Sequence, residues 1–318
     1  MVKSRKTWFF AALLLLALGL LLITIAFYTV GFHVSGFNTV DYQAELTPLE
    51  RPYDKIVIDS AACDVIIMTP QTRSAFPQYQ DLEITSPCVL SYNDGNSIFT
   101  ECGYSDRVLY ITRRDLRPWY ERIGYDFDTE SDQIVLFLDD LHFDALEVQS
   151  ASGDIWLYSE AEIKQVQFES TSGELFAKDL SSDSLTMKST SGEVCVWTSK
   201  SEHILLQTTS GDVMLDNVHT GDTLHAMTVS GEISAAAVTS ENTLTLETTS
   251  GDISFSGLDA ANGPVFETTS GDIEGSISTG KRFSVKSVSG DIEVPADTPN
   301  APLCVIQTTS GDIEITIE

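Results

Sequence analysis

Along residues 146–318 apolar and polar positions alternate with the period of two that marks a β-strand, and the alternation is reset once in every unit. In the unit from Thr243 to Ala260, Leu244, Leu246, Thr248 and Ser250 share one parity, whereas Ile253 and Phe255 share the other. The reset falls on Gly251-Asp252. Successive strand residues face opposite sides, so keeping the apolar set inward across the step requires a bulge or corner, and glycine is expected there for the backbone angles it permits. Equivalent inward sets are Leu146, Val148, Ile155 and Leu157; Ile204, Leu206, Val213 and Leu215; and Phe283, Val285, Ile292 and Val294. A further inward position follows as Leu180, Val218, Val238 and Leu258, which predicts three short faces per unit.

The step itself is Ser-Gly-Asp/Glu, with glycines at Gly153, Gly173, Gly192, Gly211, Gly231, Gly251, Gly271, Gly290 and Gly311, spaced 19 to 21 residues apart. Strand-type units at this spacing bury their apolar sides by stacking. The predicted fold is all-β, a parallel β-solenoid of about ten short coils, each about 4.8 Å above the last. An antiparallel β-hairpin meander is the alternative, because a glycine-first step also suits a type II′ turn. In a parallel stack the residue after each glycine forms an all-acidic column from Asp154 to Asp312. Each carboxylate is expected to accept backbone N–H groups at its own corner.

The solenoid is assigned to residues 146–318 and an N-terminal β cap to 53–145. Within the cap, Ser60 to Ile67 aligns with Ser150 to Leu157 as a degenerate first repeat in which Cys63 replaces the glycine. Asp94-Gly95 is a hairpin-turn dipeptide flanked by Cys88 and Cys102, which are either a cross-strand disulfide or two half-buried thiols. Arg113, Arg114, Arg117, Trp119 and Arg122 form a basic, aromatic cluster, read either as an interaction loop or as a solvated hairpin loop.

Ahead of the cap lie a cytoplasmic tip (1–7), an apolar run (8–32) and a linker (33–52). Trp8 to Phe32 holds no charged residue and is long enough to cross a bilayer as one helix; a cleaved signal peptide is the alternative. Lys3, Arg5 and Lys6 hold the N-terminus in the cytoplasm by the positive-inside rule, which makes the chain a single-pass cell-membrane protein with its C-terminal domain extracytoplasmic.

Charge narrows the function. The chain carries 47 acidic and 18 basic residues, net −29, and three of the bases precede Asp41, the first acid. Such a surface repels nucleic acid and anionic membranes and favours cationic partners. His33, His142, His203, His219 and His225 are scattered, and no nucleophile–base pair, metal motif or phosphate-cradling loop occurs. The reading has no catalytic residue, no metal site and no cofactor. A polysaccharide-degrading β-helix enzyme ranks last, because catalytic groups are unique departures from a repeat and these acids are the repeat.

The membrane-anchor-like start, Ile56-Val57-Ile58-Asp59 before Asp64-Val65-Ile66-Ile67, and the serial Thr-Ser-Gly-Asp-Ile steps at Thr249 to Ile253 and Thr309 to Ile313 together resemble the bacterial putative-adhesin family of envelope proteins, a domain of unknown function. The likeness covers residues 53 to 318 and departs at Cys63 and at the Pro295 to Pro302 insertion. It implies an extracytoplasmic β-solenoid with no catalytic residues to carry over. The functional expectation is a non-enzymatic, adhesin-like envelope-interaction module whose partner is an unidentified envelope polymer or protein. The alternative is an accessory sensor or scaffold of an envelope stress response.

Overall fold

The computed structural model describes residues 15–25, 28, 43–69, 71–84, 86–94, 97–117, 132–139 and 141–318. Residues 15–25 are helical, and the rest of the predicted membrane span, apart from Tyr28, lies outside the described residues. Among the described residues no helix is long and apolar enough to cross a membrane.

The repeats form a parallel β-solenoid of about nine turns, and no meander. Leu175–Lys188 pairs in parallel with Ile155–Ser170 on one side and Val194–Gln207 on the other. Like residues therefore stack: Val65, Ile155, Leu175, Val194, Val213, Ile233, Ile253 and Ile273 are register partners in turn, all fully buried. Five successive coils bend a second time where Asp179, Thr198, Asn217, Ala237 and Gly257 adopt φ of +47° to +60°. That bend turns Leu180, Val218, Val238 and Leu258 into the core as the third face.

Glycine is needed at the first corner for a reason other than the bend. None of the seven from Gly153 to Gly271 has a positive φ. A Cβ on each would instead overlap the carbonyl oxygen of the corner beneath it, far inside the 3.0 Å that real Cβ contacts keep. Cys63 stands at the base of this column, under Gly153. Beside the glycines runs a ladder of hydroxyls, half-buried at Ser150 and buried at Ser170, Ser189, Thr208 and Thr228. Each accepts the N–H of the glycine three residues on, at 2.8 to 3.2 Å. From Ser170 onward each also donates to the glycine carbonyl one coil below. This ties every corner to the next and satisfies groups that burial would otherwise strand.

The acidic column also bonds between coils, not within its own corners as expected. The Asp64 carboxylate accepts the Asp154 N–H at 2.9 Å, Asp154 accepts that of Glu174 at 2.7 Å, and Asp252 accepts that of Asp272 at 2.8 Å. Among the described residues the Glu members make no such bond, since an extra methylene carries the carboxylate past the amide.

Stacking order departs from chain order at both ends. Lys55–Asp59 and Asp64–Met68 lie between Val108–Asp115 and Gln133–Phe137 on one side and His142–Ser150 and Ile155–Ser170 on the other. Antiparallel strands Ile98–Ser105, Cys88–Asn93 and Gln43–Pro48 close that end. At the C-terminal end Ile273 pairs with Ile313, and Ile313 with Ile292. The last unit in sequence is thus inserted beneath the one before it, and the Pro295 to Pro302 segment is the connection that makes this exchange.

Two cap expectations are corrected. Cys88 lies opposite Pro48 and Phe137, and Cys102 lies opposite Ile111, so they are not cross-strand partners, and both thiols are free. The chain turns a corner near Asp94, whose carboxylate accepts the N–H groups of Ser97 and Ile98 at 2.7 and 2.6 Å, and the two strands enter different faces. Arg113 is buried: its guanidinium donates to Asn93 Oδ1, Thr100 Oγ1, the Tyr92 carbonyl and Asp132 Oδ1 at 2.5 to 3.2 Å. It pins the cap together and is unavailable to a partner.

Candidate ligand-binding face

The outward positions of the second face change character along the stack. The column Ile66, Trp156, Phe176, Cys195, Met214 gives way to Ser234, Ser254 and Glu274. Its neighbour runs Met68, Tyr158, Lys178, Trp197, Asp216. Outward strand residues are ordinarily polar, so an apolar stretch here needs a cover or a use. The cap supplies part of the cover. Residues 71–84, with 3-10 turns at Thr72–Ala75 and Pro77–Tyr79, fold over Ile66, Met68 and Phe137 as a second small core. Tyr79 is buried there, its hydroxyl donating to Gln133 Oε1 at 2.8 Å.

Beyond that cover Trp156 and Tyr158 are half-buried, Phe176 is buried between its neighbours, and Trp197 is exposed. Phe76 meets Tyr158 at 5.0 Å between ring centroids, Tyr158 meets Phe176 at 4.9 Å, and Phe176 meets Trp197 at 5.0 Å. Trp156 lies 6.3 Å from Tyr158. Trp197 is 41 % exposed at the open end of the strip, beside Met214 at 38 %. Edge-to-face and tilted contacts hold the rings rigid, so a ligand would meet a pre-formed surface.

The acidic column borders this strip. Burial, and then the neighbouring charges of Asp154 and Glu193, push the Glu174 carboxyl above the usual carboxylate range. The Cys195 thiol donates to Glu193 Oε1 at 3.0 Å, and burial together with that carboxylate raises its pKa far above a reactive thiol's. Arg114 and Arg117 pair with Glu101 and Asp115, while Trp119 and Arg122 lie outside the described residues.

On the other side of the corner a groove of about 370 Å³ runs along the coils from Thr209 to Thr309, walled by outward threonines and by Gln207, Glu247, Glu267 and Gln307. Among the described residues no three His, Cys, Asp or Glu side chains converge on a metal position. His142, His203, His219 and His225 each sit 3.0 to 3.5 Å from one acid of the next coil, and only His219 and His225 share a coil.

The family model named Toastrack DUF4097 matches residues 53–263 and 242–318. The chain belongs to this Toastrack family. No curated protein matches it. Among solved structures, the Toastrack chain is similar to a putative adhesin from Parabacteroides distasonis, at 12 % identity over 86 % of this chain and 97 % of that one, with a TM-score of 0.46. A putative adhesin from Bacteroides fragilis follows at 11 % identity, 87 % and 97 % coverage and a TM-score of 0.44. A putative lipid binding protein from Parabacteroides distasonis stands at 12 % identity, 87 % and 97 % coverage and a TM-score of 0.43.

The nine repeat glycines of this Toastrack chain form one column, together with Cys63. The basic cluster does not gather into a binding surface among the described residues. Sequence reading singles out Trp156 and Trp197 for a carbohydrate groove but misses Tyr158 and Phe176, which join them into one strip, and it misses the hydroxyl ladder. Both carried a signal: apolar residues at outward parity from Trp156 to Met214, and Ser or Thr three residues before every glycine.

Proposed function

We propose that this Toastrack protein is a membrane-anchored, extracytoplasmic, non-catalytic module of adhesin-like type that binds a neutral or amino-bearing envelope glycan. The observation that carries this reading is the strip of Trp156, Tyr158 and Trp197, packed about the buried Phe176 and bordered by Glu174 and Glu193. Aromatic faces take the apolar faces of sugar rings, while carboxylates accept hydroxyl or ammonium hydrogens. The −29 charge repels anionic polymers. The charge-free run from Trp8 to Phe32 supports the anchor, and Lys3, Arg5 and Lys6 support the orientation.

The test is retention of the detergent-solubilised full chain on insoluble neutral and amino-bearing glycans. Retention should fall about tenfold in Trp197→Ala, and a Val229→Thr control should bind normally. Equal retention of Trp197→Ala overturns the site, and release of new sugar ends during incubation overturns the non-catalytic reading. For topology, Ser230→Cys should be labelled by a membrane-impermeant thiol reagent in intact cells; protection until lysis would overturn it.

A further inference from the structure

The end of the stack opposite the cap is left open. In the penultimate layer Cys304, Ile306, Ile313 and Ile315 are buried, yet Ile292, the partner of Ile313, is 47 % exposed, and Val288 reaches 70 %. Phe283, Val285 and Val294 are only partly covered. The connection after Val294 shields one strand, since Asp297 accepts the Phe283 N–H and Thr298 donates to the Lys281 carbonyl, both at 2.9 Å. Nothing among the described residues lies over the corner and strand from Lys286 to Glu293.

This open corner repeats the groups that every other corner uses to receive the next coil. Gly311 beneath it accepts the Ser287 hydroxyl, and the Asp312 carboxylate accepts the Asp291 N–H. Gly290 and Asp291 hold the same two acceptors one layer further out. Charge adds a third specification. All three Lys and Arg residues beyond Gln207, namely Lys281, Arg282 and Lys286, fall in this coil. Lys281 is buried against Asp259, but Lys286 is exposed at the end of the register column Glu247, Glu267, Gln307.

We infer that the Lys286–Glu293 edge accepts one further coil in trans, from a partner strand of the same repeat chemistry: Glu, two hydroxyl residues, Ser-Gly, an acid and an aliphatic residue. The partner's first hydroxyl donates to the Gly290 carbonyl, its acidic residue's N–H to Asp291, its Glu lies beside Lys286, and its aliphatic side chain covers Ile292. Its glycine is obligatory, because a side chain there would strike Gly290 as it would at every lower corner. Addition of a strand to an exposed edge is a recurring recognition mode, and an uncovered edge is otherwise an aggregation hazard.

A fluorescent peptide with the sequence of Thr245–Phe255, titrated into the detergent-solubilised full chain, tests this. Saturable binding is expected, weakened at least about tenfold by Ile292→Lys in the chain or by leucine at the peptide's glycine. Lys286→Glu should weaken it about threefold, and a peptide carrying Lys in place of Glu247 should restore it. Trp197→Ala should leave it unchanged, which separates this edge from the glycan strip. Equal binding of a scrambled peptide, or no rescue in the charge swap, overturns the proposal. A dimer that is broken by Ile292→Lys and that the peptide does not compete away also overturns it, because the edge would then be covered by something other than a repeat strand.

Discussion

Gly251 lies directly over Gly231, so close that a Cβ on Gly251 would overlap the Gly231 carbonyl oxygen. Neither residue has a positive φ, so the requirement for glycine is one of stacking distance. Gly251→Ala should therefore cost about 3 kcal/mol or more, because two neighbouring coils must separate to admit one methyl group. Gly103→Ala, on an outer strand with nothing within 4 Å of the added carbon, should be neutral or slightly stabilising. Chemical denaturation of both variants checks this, and equal effects would refute the stacking account.

Thr228 ties two coils together through one hydroxyl: it accepts from Gly231 N–H at 3.2 Å and donates to the Gly211 carbonyl at 2.9 Å. Thr228→Val keeps the shape and strands both backbone groups, for an expected loss of about 2 kcal/mol. Thr228→Ser should retain most of the stability, as Ser189 does the same work in its own coil. A valine variant as stable as the wild type would show that water replaces the hydroxyl.

Thr198 holds φ at +47°, in a column whose last member is Gly257 at +60°. A β-branched residue is strained there, whereas glycine is not. Thr198→Gly should raise stability by up to about 1 kcal/mol after the entropy that glycine loses on folding, and Gly257→Ala should lower it by a similar amount. Thermal melts of the pair, expected to shift in opposite directions, provide the measurement.

Two carboxylates act oppositely on stability as pH falls. Burial raises the Glu174 pKa, so its proton is bound more tightly in the folded state, and stability gains as pH falls through that raised value. Asp259 is also raised by burial, but hydrogen bonds from Lys281 at 2.5 Å and Thr279 at 2.9 Å outweigh this and leave it lowered. Its contribution is present above the ordinary carboxylate pKa of about 3.9 and is lost as pH falls through the depressed value. Melting temperature should rise as pH falls through the raised Glu174 value and drop again as pH falls through the depressed Asp259 value. Glu174→Gln should blunt the rise, and Asp259→Asn should blunt the drop, at a cost in stability from the buried Lys281 left unpaired. A melting temperature that falls steadily from pH 7 would contradict the assignment.

Much of this architecture is legible in the chain because a stack repeats one local problem. The parity reset at Gly251-Asp252 places Leu246 and Ile253 inward without any knowledge of neighbours, and both are buried. The three-face coil follows in the same way from Leu258 and its equivalents. The cap was harder to read. Arg113 looks like a surface cation until Asn93, Thr100 and Asp132, all distant in sequence from one another or in different strands, close around it. Likewise the Cys88 and Cys102 spacing about Asp94 suggests a ribbon, but the pairing of each strand with Gln133–Phe137 or Val108–Asp115 outweighs the local turn.

Strand period, corners, acidity and the likeness of one coil to the next are local properties of the chain, because each is set by residues within about 20 positions of one another. The order in which the coils stack is a property of the folded chain alone. Every coil offers the same aliphatic column, hydroxyl ladder and glycine corner, so Leu303–Gln307 can pair with either neighbour equally well in local terms. The connection through Pro295 to Pro302 and the anchoring of Lys281 on Asp259 break that degeneracy, placing the final repeat inside the stack and leaving Ile292 at its open end.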